Sequence, residues 1–418
     1  MAVRVLHRRR RPRAGIAVAR CAGRSERKRG RRARSGIVPG RRVVSAGGID
    51  FERLAHAGVR RLRAYDPGHD LVALRRRFGA GELVELGSNE NPYGPSPRVR
   101  EAVLAAMGDL HRYPDPLGGD LKRALAATHG VEAARILLGN GSHELLMQFA
   151  QVFAAPGADV VASQYGFAVY ALAAQAAGAD FVAAPAYGRE HAMPRGHDLD
   201  AIAAAISLTT RLVYLANPNN PTGTWFGADA LKPLLARVPD TTLVVVDEAY
   251  AEMADAPDYA SALPLLAEHP NLIVTRTFSK AYALAGLRIG YAIAHPDLIA
   301  VMERVRESFN VNALGLAAAE AALGDVEHLR TTCEANARER AALAAALHER
   351  GIVCAPSQTN FLLAEFGADS IALERELVAR GAVLRPMAGY GLPDSLRITV
   401  GDAAENARLL RILDEVRA

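Results

Sequence analysis

Lysine is the scarce basic residue of this chain, supplying only Lys28, Lys122, Lys232 and Lys280 of the 50 basic side chains. Surface charge is left to arginine, so each lysine can be asked for a reason. Cysteine is scarce too, and the spacing of Cys21, Cys333 and Cys354 gives neither a metal-ligand pattern nor an even disulfide set. That excludes a disulfide-stapled scaffold and fits a reducing compartment. No apolar run is long enough for a membrane span. The longest uncharged stretch, Val160 to Ala179, is broken by Ser, Gln, Gly and Tyr and reads as a strand followed by a helix.

Residues 1–42 hold 16 basic side chains against one acid, Glu26, which leaves an acidic body behind a basic arm. Such an arm does not make a nucleic-acid-binding face within a fold. Its runs RRRRPR and RKRGRRARSG lack apolar periodicity and contain Pro and Gly. Residues 1–45 are therefore expected to be a disordered extension, with a targeting peptide or an early start codon as the other readings.

The body has ample apolar material, half of all 418 residues, for two or three domains. Seven strand-like runs, RILLGN, DVVAS, DFVAAP, TRLVYLANP, TLVVVDEAY, NLIVTRTFSK and RIGYAIAH, are mostly separated by alanine-rich segments of helical period. This alternation predicts a largely parallel α/β sheet domain over residues 96–310. Residues 311–418 read as a smaller domain of helices over a small sheet, with residues 46–95 packing beside it.

Four polar motifs fall where strands of that sheet end, the edge at which open α/β sheets hold ligands. GNGSHELL opens a helix after RILL, so it is either an ordinary helix start or an anion site at Gly141, Ser142 and His143. ANPNNPTG is either a Pro/Asn turn or a turn offering the Asn220 amide to a ligand. In TLVVVDEAY an apolar strand ends in Asp247, which is costly unless a cation or donors meet it. In NLIVTRTFSK, Lys280 follows a buried run, with Ser279 beside it and Arg288 nearby. The set matches pyridoxal phosphate: an amine for its aldehyde from Lys280, an acid for its ring nitrogen from Asp247, donors for its phenolic oxygen from Asn220 and Tyr250, and a phosphate cradle from Gly141, Ser142, Ser279 and Arg288.

These motifs, NNPTG, VVDEAY and SKAYALAGLRIGY, with NENPYGPSP, HRYPD, GSHELL and LRITVG, resemble fold-type I aminotransferases and, within them, the histidinol-phosphate branch. The resemblance spans roughly residues 50–415. It implies an aspartate-aminotransferase-like fold, with a mostly parallel seven-stranded sheet in the large domain and a smaller α+β domain. It implies a pyridoxal-phosphate-dependent enzyme of histidine biosynthesis, cytoplasmic and homodimeric, acting on small molecules without nucleic acid, membrane or metal. Tyr165 would then stack on the cofactor ring, and Tyr113 would reach the cofactor phosphate of a neighbouring subunit. Tyr65, Arg385 and Arg397 would line the substrate end. An aromatic amino-acid aminotransferase shares the frame. A phosphothreonine-type decarboxylase and a DNA-binding regulator are further readings, although residues 1–45 show no paired amphipathic helices.

Overall fold

Apolar residues, most of them β-branched, follow one another without interruption in Leu243–Val246 and Leu272–Val274, and both stretches lie in strands whose valines and isoleucine are fully buried. Burial of each such side chain contributes about 1.5–3 kcal/mol. The computed structural model describes residues 49–62, 69–79 and 82–418. Residues 1–45 and Tyr65 lie outside them.

The short β1 (Val84–Glu85) precedes β2 (Ile136–Gly139), β3 (Asp159–Ser163), β4 (Asp180–Ala184), β5 (Thr210–Ala216), β6 (Leu243–Asp247), β7 (Leu272–Thr277) and β8 (Gly290–Ile293). The last seven, one for each strand-like run of the sequence, form a single sheet in the order β2-β8-β7-β6-β5-β3-β4. Strands β3 to β7 pair in parallel, and β8 runs antiparallel to both β7 and β2. The stretch from Val160 to Ala179 is indeed β3 followed by the helix Ala168–Ala177.

Helices cover both faces, and strand alternation sorts side chains between them. Val244, Val246, Leu272 and Val274 pack with the helices Pro97–Ala106, Gly119–His129 and Ala313–Leu323. Val245, Ile273 and Tyr214 pack with Ser142–Phe153 and Ala168–Ala177. By the same alternation Asp247 and its register partner Thr275 belong to the second face.

A second, four-stranded sheet follows from β9 (Val353–Cys354), β10 (Phe361–Glu365), β12 (Arg385–Pro386) and β13 (Ser395–Thr399), with β11 (Ala382–Val383) pairing instead with β1. Its core joins Leu343, Leu347, Leu362, Leu396, Ile398, Leu409 and Leu413. The closing helix Ala403–Arg417 starts at a capping box made by Asp402 and Glu405.

Candidate active site

Parallel strands bring their carboxyl ends to one edge, and the polar motifs collect there. β6 delivers Asp247 and β7 leads through Thr277 to Ser279 and Lys280. Because β8 runs the other way, Arg288 stands two residues before its start, at the same edge. Register confirms the meeting, since Gly290 pairs with both Gly139 and Thr277.

The helix Ser142–Phe153 begins here at Gly141, which has no side chain to cap its first amides. Gly141 holds φ +81, and a Cβ on it would lie 2.6 Å from Arg288 Nη2. Gly290 lets the same turn approach, since a Cβ there would lie 2.3 Å from the Ser142 amide nitrogen. Arg288 Nη1 donates to Ser279 Oγ at 3.4 Å. His143 follows Ser142 on the first turn of the helix. The product is a cradle of amides, hydroxyl and guanidinium suited to a phosphate.

Asp247 is buried, and among the described residues no cation pairs with it. Its carboxylate accepts from Tyr170 Oη at 3.1 Å and from Thr275 Oγ1 at 3.0 Å. Burial pushes its pKa up to about 6 despite those donors. Tyr170 in turn stacks on Tyr214 with centroids 4.8 Å apart, and Tyr214 Oη donates to the Leu146 carbonyl. The adjacent Glu248 turns elsewhere, to Arg276 at 2.6 Å. Arg276 thus satisfies one of the two neighbouring acids and leaves Asp247 for another positive charge.

Lys280 is half-buried, and its Nζ donates to the Asn89 carbonyl at 3.1 Å and lies 6.0 Å from the Tyr250 ring centroid. Burial, helped by repulsion from Arg397, lowers its amine to about 8. Tyr250 is buried and accepts from Asn89 Nδ2 at 2.9 Å. Burial raises its phenol to about 12 against the pull of Arg397 and Asn89.

Asn220 Oδ1 accepts from Arg397 Nη1 at 2.6 Å, and Arg397 Nη2 donates to the Gly87 carbonyl. Arg385 and Arg397 are register partners across β12 and β13, so they share a face of the small sheet. Tyr165 is half-buried against Met387 and Leu392. Its carbonyl accepts from Asn219 Nδ2, which ties the loop after β3 to the loop after β5. A cleft of about 870 Å³ opens beside it, with Tyr187, Arg195 and Asp394 among its walls.

The structure thus gathers Lys280, Tyr250, Asn220, Ser279, Arg288, Gly141, Ser142 and Arg397 at this edge, with Asp247 ending β6 beneath it. Tyr113 stands apart within the single chain, exposed and stacked on Phe309 at 4.5 Å. Sequence reasoning missed Asn89, Tyr170 and Thr275. Asn89 lies inside the noticed NENP motif, and Thr275 shares the alternation of Ile273, whereas no sequence signal separates Tyr170 from a core tyrosine.

The pattern of the family Aminotransferase class I and II matches residues 81–413. Histidinol-phosphate aminotransferase 2 of Pseudomonas aeruginosa is 46% identical over 372 residues, covering 88% of this chain and 99% of its own length. Histidinol-phosphate aminotransferase 1 of Nitrosococcus oceani is 46% identical over 366 residues, 88% of this chain and 97% of its own. The crystal structure of histidinol-phosphate aminotransferase from Sinorhizobium meliloti in complex with pyridoxal-5'-phosphate superposes with a TM-score of 0.75 at 34% identity, covering 86% of this chain and 96% of that one.

Proposed function

This chain belongs to the class I and II aminotransferases, and from that premise we propose that it is a pyridoxal-phosphate-dependent transaminase of histidine biosynthesis. It passes an amino group between L-histidinol phosphate and 2-oxoglutarate, giving imidazole acetol phosphate and glutamate. The observation that carries the reading is a buried carboxylate with no cation partner among the described residues, Asp247, at the same sheet edge as Lys280 and the Arg288 cradle.

That donor set fits the cofactor. Arg288, Ser279, Gly141, Ser142 and His143 would hold its phosphate. Asp247 would meet the protonated ring nitrogen, Asn220 and Tyr250 the phenolic oxygen, and Tyr165 the ring face. When bound, pyridoxal phosphate supplies an aldehyde that accepts an amine and a protonated ring that draws electrons from the substrate Cα. Lys280 supplies the amine. Its lowered pKa keeps a useful neutral fraction near pH 7, so the nitrogen can take the Cα proton and return it. Asp247 keeps the positive charge on the ring nitrogen.

Arg397, already held by Asn220 and Gly87, would grip a substrate carboxylate. Arg385 shares that face of the small sheet, so a substrate anion there would meet both guanidinium groups. In this reading Arg385 would meet the phosphate of histidinol phosphate, together with Tyr65, which lies outside the described residues.

Assembly as a cytoplasmic homodimer is part of the proposal. Leu104, Met107, Leu110, Tyr113 and Leu117 are exposed, as is Phe309 under Tyr113, which favours burial of this segment against a second copy. Tyr113 would thereby reach the partner's cofactor phosphate. Among the described residues no helix is long and apolar enough to cross a membrane.

The test is an assay of purified protein with glutamate and a panel of oxo acids. Imidazole acetol phosphate is expected to be the preferred acceptor. Preference for phenylpyruvate replaces the reading with an aromatic aminotransferase, and release of carbon dioxide from a phosphorylated amino acid replaces it with a decarboxylase. Arg385→Ala should lower kcat/KM for histidinol phosphate about ten- to a hundredfold and leave that for phenylalanine nearly unchanged.

A further inference from the structure

The first asparagine of the NENP segment bonds to two of the site's groups, Lys280 and Tyr250. Asn89 is 2% exposed and holds φ 56, a left-handed conformation that asparagine tolerates better than most residues. Its amide nitrogen donates to Thr399 Oγ1 at 2.9 Å, its carbonyl accepts from Asn360 Nδ2 at 3.0 Å and Lys280 Nζ at 3.1 Å, and its side-chain Nδ2 donates to Tyr250 Oη at 2.9 Å. The other end of the side-chain amide, Oδ1, accepts from the Thr399 hydroxyl at 3.4 Å.

The direction of the Tyr250 bond has a chemical consequence. An amide NH2 can only donate, so the Tyr250 oxygen is the acceptor and its own proton is aimed elsewhere. Both Lys280 and Tyr250 therefore rest on one residue whose backbone turn presents a carbonyl to the amine and whose side chain orients the phenol.

We infer that Asn89 is a positioning residue of this site: its side-chain amide turns the Tyr250 hydroxyl proton toward the cofactor's phenolic oxygen, while its left-handed turn aims the carbonyl that receives the free Lys280 amine. The inference rests on the reading that Lys280 carries pyridoxal phosphate and Tyr250 faces the phenolic oxygen. Donation from Tyr250 stabilises the deprotonated, more negative form of the bound chromophore. Loss of the Asn89 amide weakens that donation, so the pH midpoint of the visible absorbance must rise.

Two variants separate orientation from mere structure. Asn89→Gly keeps the left-handed turn and the carbonyl but removes the amide. Asn89→Asp keeps the size and tolerates the turn but replaces the donor with an acceptor, which draws the Tyr250 proton back toward itself. The experiment is a pH titration of the absorbance of each protein loaded with pyridoxal phosphate, alongside the wild type and Tyr250→Phe. Asn89→Gly should raise the midpoint by about half to one pH unit, and Asn89→Asp by at least as much. In the Tyr250→Phe background Asn89→Gly should add no further shift. A purely structural asparagine lowers the melting temperature and moves no midpoint. Unchanged midpoints in both variants overturn the inference, and so does a glycine shift that persists without the Tyr250 hydroxyl. In those cases the wild type still shows its chromophore. A wild type with none overturns the cofactor reading itself, and this inference with it.

Discussion

Asp247 ends a strand of buried valines, facing two hydroxyls and, among the described residues, no cation, an arrangement that favours binding over stability. Its carboxyl, moved from 3.8 to about 6, binds more protons in the folded chain than in the unfolded one across that interval. Stability of the cofactor-free protein therefore falls as pH rises from about 4 to 6, and the penalty, on the order of 3 kcal/mol, is fully in place above. Asp247→Asn should accordingly raise the melting temperature of the cofactor-free protein at pH 7, as differential scanning calorimetry would show. The same variant should lower kcat of the loaded enzyme about a hundredfold or more. A cofactor-free variant less stable than wild type would show that the carboxylate is satisfied without the ring. Lys280 moves in the opposite sense. Its amine is neutral above about pH 8, so the rate at which the cofactor-free protein captures pyridoxal phosphate should climb with pH and level off near 8. In stopped-flow traces, a climb continuing to pH 10 would mean that the amine is an ordinary surface lysine. Both residues were legible in the sequence because each is odd in its setting, one lysine among four and one acid after a row of valines. Tyr170 and Thr275 were not, because a buried tyrosine and a strand threonine look ordinary until the fold brings them to the carboxylate.

At the scale of elements, the cradle depends on how closely the start of helix Ser142–Phe153 approaches β8. Gly290→Ala places a Cβ 2.3 Å from a backbone nitrogen, and only movement of that turn can relieve the overlap. Gly141→Ala meets Arg288 at 2.6 Å and in addition forces φ +81 on a residue with a Cβ. Each variant should weaken pyridoxal phosphate binding about tenfold or more in a fluorescence titration. Unchanged affinity in both would remove this turn from the phosphate site. All seven strands of the large sheet were readable because each is an apolar run bounded by polar or turn residues. The two-residue strands β1, β9, β11 and β12 are too short for any period to show. Sequence pattern likewise does not report which layer a helix joins. The helix Ala313–Leu323, expected with the smaller domain, buries Ala318, Ala319 and Ala322 in the core shared with the large sheet.

For the whole molecule, two surfaces carry predictions. The exposed segment around Leu110 is proposed to be covered by a second copy, so Leu110→Glu should shift the protein from dimer to monomer in sedimentation velocity and lower its activity with it. A variant that stays dimeric and active would place the interface elsewhere. None of the basic residues 1–45 is among the site residues described above, and the Pseudomonas aeruginosa relative is matched over 99% of its own length by 88% of this chain. Their removal should leave kcat/KM and the melting temperature within error, and a marked loss of either would show that they dock on the body. The proposed chemistry turns on one amine among four lysines. Borohydride reduction of the protein loaded with pyridoxal phosphate, followed by peptide mass spectrometry, reads that amine directly: a single label on Lys280 is predicted, and a label on Lys122 or Lys232, or none at all, would contradict it.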